Sequence, residues 1–476
     1  MAKHHRSAPQ GKRQGMGSAN IAAPRSEDVL RKGPFRLSLV EAETAALKRA
    51  PELARAALET QAGGQVVTES RSQFFPQIIG DISAVGTLGS NTRIGAFGGL
   101  NNPAIFNRES QGININQLIF DFGRTENLTA AAKYQELSEA KQEQVVRGDV
   151  LLHVDRAYFD VLKAQALLRV ANETVAAREV AYAEADALVN SKLKSDLDLS
   201  YAQVNLEQAK QLVIQTENAL GVAHSNLAEA MGSRTAEKFM LVDPSEEPLP
   251  NASVDSLIHT ALQFRPEIVA LRDQVSSADK RADAEREARF PKVEAIGSFG
   301  RTPLGDSAVQ GNYGAAGLNV EIPLFTGGLL SSRQREAKLR ARAELQSLEK
   351  EKNQVVNQVN SAWLDATTAL KNIDVTTKLA ASAEQALDLA RAQYKAGTTS
   401  TIELSQAELN ALQAEIEVAA AKYDYQIRRV NLDYDVGTLQ LKNSSIGNNT
   451  SSAIVARRAE RLTSTALESP LRPPAR

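Results

Sequence analysis

The side chains able to do chemistry are few and scattered. His153, His224 and His259 fall on different predicted helices without metal-ligand spacing, and His4 and His5 make only an incomplete pair. The chain has no cysteine, which removes disulfides, thiolate metal sites, a cysteine nucleophile and a lipidated N-terminal cysteine. No glycine-rich phosphate loop follows a predicted strand. No catalytic residue, metal ligand or cofactor is assigned, and the chain reads as something other than an enzyme. What does recur is a carboxylate three residues after a serine: Ser195-Asp-Leu-Asp198 and Ser400-Thr-Ile-Glu403. A hydroxyl that takes one free backbone N–H while an acid returns to the other is a capping box. The Ser400 box matches well and the Ser195 box more loosely. Gly397, just upstream, suits a helix end in the left-handed conformation.

Asp198 and Glu403 are 205 positions apart, and the same offset pairs Phe120 with Phe325, Ala157-Tyr158 with Ala362-Trp363, and "DLSYAQ" with "ELSQAE". Upstream, "FFPQI" at Phe74 matches "RFPKV" at Arg289, with Pro76 and Pro291 now 215 apart. The extra length falls between two strands, where repeat 1 has the longer loop. Such self-similarity marks a duplicated unit.

Each unit opens with a predicted amphipathic helix, roughly Leu39 to Ser72 and Ser253 to Arg289, carrying Pro51-Glu52 or Pro266-Glu267 near its start. A hairpin follows. In "GININQ" from Gly112 apolar and polar residues alternate, and "GLNVEI" from Gly317 repeats the pattern in register. This is the period of a strand with one apolar and one polar face. Ile113, Ile115, Leu318 and Val320 share one face, Asn114 and Asn319 the other. The passage into the next helix is "IPLFTGG", with Pro323, Gly327 and Gly328 at the junction; repeat 1 has Asp121-Phe122-Gly123 there. From Leu329 to Ala396 there is neither proline nor glycine, and from Arg124 to Ser191 only Gly148. About 68 residues at ~1.5 Å each predict a helix about 100 Å long. Another of about 30 residues returns after a break near 192–198 or 397–401. Trp363 and Tyr158 are expected to fill the core. Phe74, Phe75, Phe120, Phe122, Phe290 and Phe325 collect at one end of the strands, as an interfacial girdle or as junction packing.

The chain is 42% hydrophobic and 24% charged with a net charge of -2, which argues against electrostatic binding of nucleic acid. No stretch reaches the ~18–20 apolar residues of a membrane helix, so membrane entry would have to use strands. Four strands cannot close a barrel around water, and an open edge in lipid is costly. Three copies would supply twelve strands, an even number of the kind such barrels use.

At this point the residues resemble the TolC-type outer-membrane efflux proteins over roughly Leu37 to Leu439. The specific pieces are "IPLFTGG", "FFPQI", "RFPKV", "QYKAGTTSTIELSQAE" from Gln393, "Leu-Val-Glu-Ala" at Leu39 and "Arg-Pro-Glu" at Arg265. The resemblance implies a homotrimer whose 12-stranded β-barrel continues into a long α-helical barrel. It would be a passive conduit in the outer membrane of a Gram-negative bacterium, its helices in the periplasm. Its partners would be outer-membrane lipid, a periplasmic adaptor and an inner-membrane transporter, in drug, toxin, metal or protein export. It also implies that Asp198 and Glu403 line a pore constriction, with Tyr394 at an aromatic latch. Gln406 stands where the family has a second acid and Thr399 where it has a basic latch. Capping and pore lining both remain open for the two acids. A soluble coiled-coil scaffold or adaptor is the alternative.

The expected organisation is a disordered segment 1–36, lacking the apolar core of a signal peptide, then repeat 1 at 37–232 with its hairpin at about 76–122 and helices at about 124–231. A linker at 233–252 leads to repeat 2 at 253–439, hairpin about 291–325 and helices about 328–436. The tail 440–476 is expected to be disordered. The fold class is mainly α with a membrane β part.

Overall fold

The computed structural model describes residues 36–85, 108–234, 239–304 and 311–439. The expected disordered ends and the longer loop of repeat 1 lie outside these residues, apart from Arg36. In chain order the elements are β1 (Arg36–Leu37), α1 (Leu39–Arg49), α2 (Pro51–Ser72), β2 (Gln77–Val85), β3 (Arg108–Phe120), α3 (Arg124–Asn190) and α4 (Asp196–Ala230). Then come β4 (Met240–Leu241), α5 (Val254–Phe264), α6 (Pro266–Glu287), β5 (Lys292–Leu304), β6 (Asn312–Glu321), α7 (Leu329–Lys395) and α8 (Thr401–Val436). The architecture is mainly helical with a β part, in two tandem units.

Backbone conformation records the duplication more faithfully than side chains do. Every described residue with positive φ has a partner 205 positions on: Phe122 and Gly327, Gly123 and Gly328, Lys192 and Gly397, Gly232 and Gly437. Left-handed residues sit where a chain must turn abruptly, so both units turn at the same places. Two of the eight are not glycine. Phe122 adopts φ 58° where repeat 2 has Gly327 at 61°. Its ring lies 4.7 Å from Phe120 and 5.1 Å from Phe290, stacked on the latter. Asp121 braces the same turn, accepting from the Gly123 N–H at 3.2 Å and the Thr125 N–H at 2.8 Å. The departure of repeat 1 from "TGG" therefore keeps the turn and adds packing at the junction.

Each opening helix is divided in two, contrary to the expectation of one helix. Ala50 and Arg265 leave the helical region, with ψ 115° and 129°, and Pro51 and Pro266 begin new helices. The residue before a proline is driven out of the α region, and proline itself is at home at the first helical position. The "Pro-Glu" element thus starts a second helix one third of the way along.

The long helices α3 and α7 each run 67 residues, about 100 Å at ~1.5 Å per residue. Their length is supported by neighbours, α3 packing against α1, α2, α4, α6 and α8, and α7 against α5, α6 and α8. Small residues dominate the contact stripe, as at Ala131, Ala132, Ala164, Ala171, Ala341 and Ala366, each nearly inaccessible. The larger side chains gather mid-length in two clusters. One joins α1, α3, α4 and α8 around Leu151, Val154, Tyr158 and Leu227; the other joins α5, α6, α7 and α8 around Ile268, Val355, Val359 and Leu432. Trp363 packs against the second. Tyr158 is more than filler. Its hydroxyl contacts Leu37 O at 2.8 Å and Val242 O at 2.6 Å, at the parallel β1–β4 pair. Burial pushes the phenol up to about 12, helped by the Asp243 and Glu41 charges, while the bond to Val242 opposes the shift.

The two hairpins form one antiparallel sheet in the order β2-β3-β5-β6. Its register places Ile79, Asn114 and Ser298 in one row and Glu294 opposite Asn319. Opposed residues share a face, so Asp81, Asn114, Ser298 and Asn319 lie on one side. Ile78, Ile82, Ile113, Ile115, Phe299, Leu318 and Val320 lie on the other. The polar side is cross-linked, Ser298 donating to Asn114 at 2.8 Å and Asn114 to Asp81. The apolar side is bare: Ile82 is 81% and Leu318 71% exposed.

Candidate functional site

The tips of the two helical hairpins, at the far ends of α3 and α7 from the sheet, hold most of the expected site residues. Both use the same turn. Lys192 N–H bonds Val189 O at 2.8 Å and Leu193 N–H bonds Leu188 O at 2.9 Å; Gly397 and Thr398 repeat this with Tyr394 and Gln393 at 3.1 and 3.0 Å. Paired bonds of this kind are the Schellman ending, which needs a left-handed residue. Gly397 supplies one at φ 74°, while repeat 1 uses Lys192 at φ 60°.

The next helix begins with the serine cap in each case. Ser195 and Asp198 form the complete box: Asp198 N–H donates to Ser195 Oγ at 3.4 Å, and Ser195 N–H returns to Asp198 Oδ2 at 3.1 Å. Ser400 Oγ accepts from Glu403 N–H at 3.2 Å, but the Glu403 carboxylate takes the Thr399 hydroxyl and does not return. The expected ranking of the two boxes is reversed. The reason is that Thr399, immediately before the cap, offers Glu403 a nearer donor, whereas the equivalent residue of repeat 1 is Lys194, turned elsewhere.

Asp198 then reaches across to the other hairpin. Its Oδ1 accepts from the Thr401 hydroxyl and, at 3.2 Å, from the Tyr394 hydroxyl. Burial pushes the Asp198 carboxyl up, but the bonds from Thr401, Ser195 and Tyr394 outweigh it and hold the group below its ordinary value. Lys194 lies with Nζ 3.7 Å above the Tyr394 ring, close enough for a cation–π contact. Lys395 adds an exposed ion pair to Glu184 at 3.9 Å. Asp198 and Tyr394 are thus brought together, with Thr401 and Lys194 completing the cluster. Glu403 stays on its own helix, and Gln406 bonds only its neighbour Asn410, at 3.0 Å. Gly397, Ser195 and Ser400 shape the tips, whereas Gly123, Pro323, Gly327 and Gly328 stand at the opposite, sheet-side end.

Thr401 and Lys194 were not expected. The only trace of Lys194 in the sequence is its place 205 residues before Thr399, so the basic residue absent from one tip sits in the other. Higher on the hairpins, Arg178 and Glu408 form a buried ion pair between α3 and α8, and Asn205 donates to Ser405 Oγ at 3.1 Å. These contacts keep the hairpins in one layer. Among the described residues no group of His, Asp or Glu has metal-binding geometry, and no helix is long and apolar enough to cross a membrane.

The comparisons agree with this architecture. The family model described as "Outer membrane efflux protein" matches residues 44–233 and 257–438. Outer membrane protein TolC of Escherichia coli is 24% identical over 429 residues, covering 86% of this chain and 84% of that protein. Alkaline protease secretion protein AprF of Pseudomonas aeruginosa is 23% identical, covering 86% of each. Cation efflux system protein CusC of Escherichia coli is 23% identical, covering 77% of this chain and 80% of that protein. For the fold alone, a solved CusC structure superposes with a TM-score of 0.73 at 21% identity over 84% of this chain and 91% of that one. The CmeC outer membrane channel of Campylobacter jejuni gives 0.72 at 17% identity, over 84% and 85%. A duplicated sheet-and-hairpin unit, bare on one sheet face and latched at its helical tips, belongs here to the outer membrane efflux protein family, TolC-type, as an outer-membrane channel for efflux or secretion and not an enzyme.

Proposed function

We propose that three copies of this chain assemble into a passive conduit, with a 12-stranded barrel in the outer membrane and a helical barrel crossing the periplasm. The observation that carries this is the sheet. Its strands run 9 to 13 residues, matching the ~9–11 needed to span a bilayer. Its order leaves β2 and β6 as open edges, which hydrocarbon does not tolerate. Closing it edge to edge with two further copies satisfies every strand and gives an even number. The apolar face meets lipid, and the Asp81–Asn114–Ser298 face lines a wet lumen. In such an assembly the tips converge, and Asp198 and Glu403 ring the mouth while also capping their helices. Carboxylates gathered at a constriction attract cations.

The partners of this reading are a periplasmic adaptor and an inner-membrane transporter, because a conduit has no energy source of its own. The names of the relatives span protease secretion and cation efflux, and the lumen face recognises no one cargo by shape. Mass measurement of the folded protein in detergent tests the assembly. A trimer is expected, and a stable folded monomer would overturn it.

A further inference from the structure

We infer that the first four turns of α7 form a basic collar that binds the anionic phosphate headgroups of the membrane leaflet beneath the barrel. The inference rests on the reading of the sheet as membrane-inserted. Residues 329–342 carry Arg333, Arg335, Lys338, Arg340 and Arg342 against the single acid Glu336. All five are exposed. The equivalent stretch of repeat 1, 124–137, balances Arg124 and Lys133 with Glu126 and Glu136. The two units share their backbone turns and diverge in charge at this level.

The five cations are poorly neutralised within the chain. Arg340 pairs with Glu336 at 2.7 Å, and Arg335 bonds only the Ser331 carbonyl of its own helix, at 3.3 Å. Among the described residues, Arg333, Lys338 and Arg342 have no carboxylate partner. Helical spacing separates them into two stripes. Arg333 and Arg340 are seven apart on one; Arg335, Lys338 and Arg342 follow the i, i+3, i+7 spacing of the other. Between the stripes lies the buried side at Ala341 and Leu348. In a closed helical wall, whichever stripe faces the lumen, the other faces outward.

Depth places the start of each stripe, Arg333 and Arg335, at the membrane edge, with Lys338 and Arg342 further along the helix. The strand-to-helix passage ends in Leu324 and Phe325, each 91% exposed, apolar side chains suited to the edge of hydrocarbon. Arg333 follows Leu329 by one helical turn, ~6 Å at ~1.5 Å per residue, within a headgroup layer of roughly 5–8 Å. Exposed lysine and arginine at such a surface are drawn to anionic lipid over about a Debye length. The carboxylates of the tips are the full length of α7 away and do not compete. The occupant is therefore a phosphate-bearing lipid headgroup.

The test uses the full-length assembled protein in lipid nanodiscs made with phosphatidylcholine alone or with added phosphatidylglycerol. Successful insertion into either disc tests the membrane reading; lipid enrichment around the protein tests the collar. Native mass spectrometry after detergent release should show phosphatidylglycerol retained several-fold over phosphatidylcholine, with the preference falling as salt rises. The quadruple variant R333Q/R335Q/K338Q/R342Q should lose it, and the charge-keeping R333K/R335K/R342K should retain it. Inorganic phosphate in excess should fail to displace the lipid if the membrane surface, rather than a free anion, is the ligand. Equal retention of both lipids by the natural protein, or an unchanged preference in the glutamine variant, would overturn the collar. A glutamine variant that alters only the ion selectivity of the open channel would instead make the cluster a lumen feature and also overturn it.

Discussion

Both oxygens of Asp198 are occupied, Oδ2 by Ser195 at its own helix start and Oδ1 by Thr401 and Tyr394 of the other hairpin. Because those donors favour the charged form, the folded pKa lies below its ordinary value. A depressed carboxyl stabilises the fold above its unfolded value, about 3.9, and that contribution is lost as pH falls through the lower folded value. The tip contacts should therefore be constant between about pH 5 and 8. They should loosen only under acid, seen as a rise in single-channel opening below about pH 4. If opening instead rises between pH 6 and 7, some other group controls the mouth. The pore-lining proposal for Asp198 and Glu403 is separable from capping. Replacing both, D198N/E403Q, should weaken block by a trivalent cation and reduce cation preference in planar-bilayer recordings. Capping alone would change stability by about 0.5–2 kcal/mol and leave block unaltered.

At the scale of the element, the tip turns are built twice from different residues. A side chain in the left-handed region costs about 1–2 kcal/mol, while glycine adds unfolded-state freedom worth about 0.4–1 kcal/mol. The difference favours glycine where φ is positive. Lys192→Gly should stabilise the first tip by roughly 0.5–1 kcal/mol, and Gly397→Lys should destabilise the second by a similar amount. Limited proteolysis of the tips reads the result directly, with slower cleavage expected in the first variant and faster in the second. Equal rates would mean that Lys192 is held by tertiary contacts strong enough to absorb the strain. Phe122 is a case where such contacts are visible, its ring lying against Phe290.

For the whole molecule, the proposed barrel lets the arrangement of the sheet decide which surface meets lipid. Leu318 and Asn319 are adjacent on β6 but lie on opposite faces. A charge at Leu318 should cost about 2–4 kcal/mol if it stands near the bilayer midplane, whereas Asn319→Asp should be tolerated on a wet lumen. The yield of the proposed trimer after extraction from membranes compares the two. Spin labels at Val320 and Asn319 give the same answer independently: oxygen accessibility typical of lipid at the first, and of water at the second. Reversed accessibilities would invert the barrel.

Much of this organisation is local and was therefore legible without coordinates. An alternation of apolar and polar residues from Gly112, a proline-free run from Leu329, a serine three residues before an acid and a glycine at Gly397 each act through neighbours a few positions away. The duplication multiplied each signal by two, which is why the long helices and their breaks fall where expected. Other features rest on groups remote in the chain. Asp198 meets Tyr394 across 196 residues, and Asn114 meets Ser298 across 184. Neither partner carries a local mark of the other. The joining of the two hairpins through β3 and β5 is likewise a matter of which edges approach once the helices have packed. The sequence by itself determined the repeated unit, its turns and the two-faced strands, because short-range backbone geometry and periodicity encode them. Only the tertiary structure decided that one carboxylate caps its own helix and also ties together both hairpins, because that depends on which side chains the packed helices bring within reach.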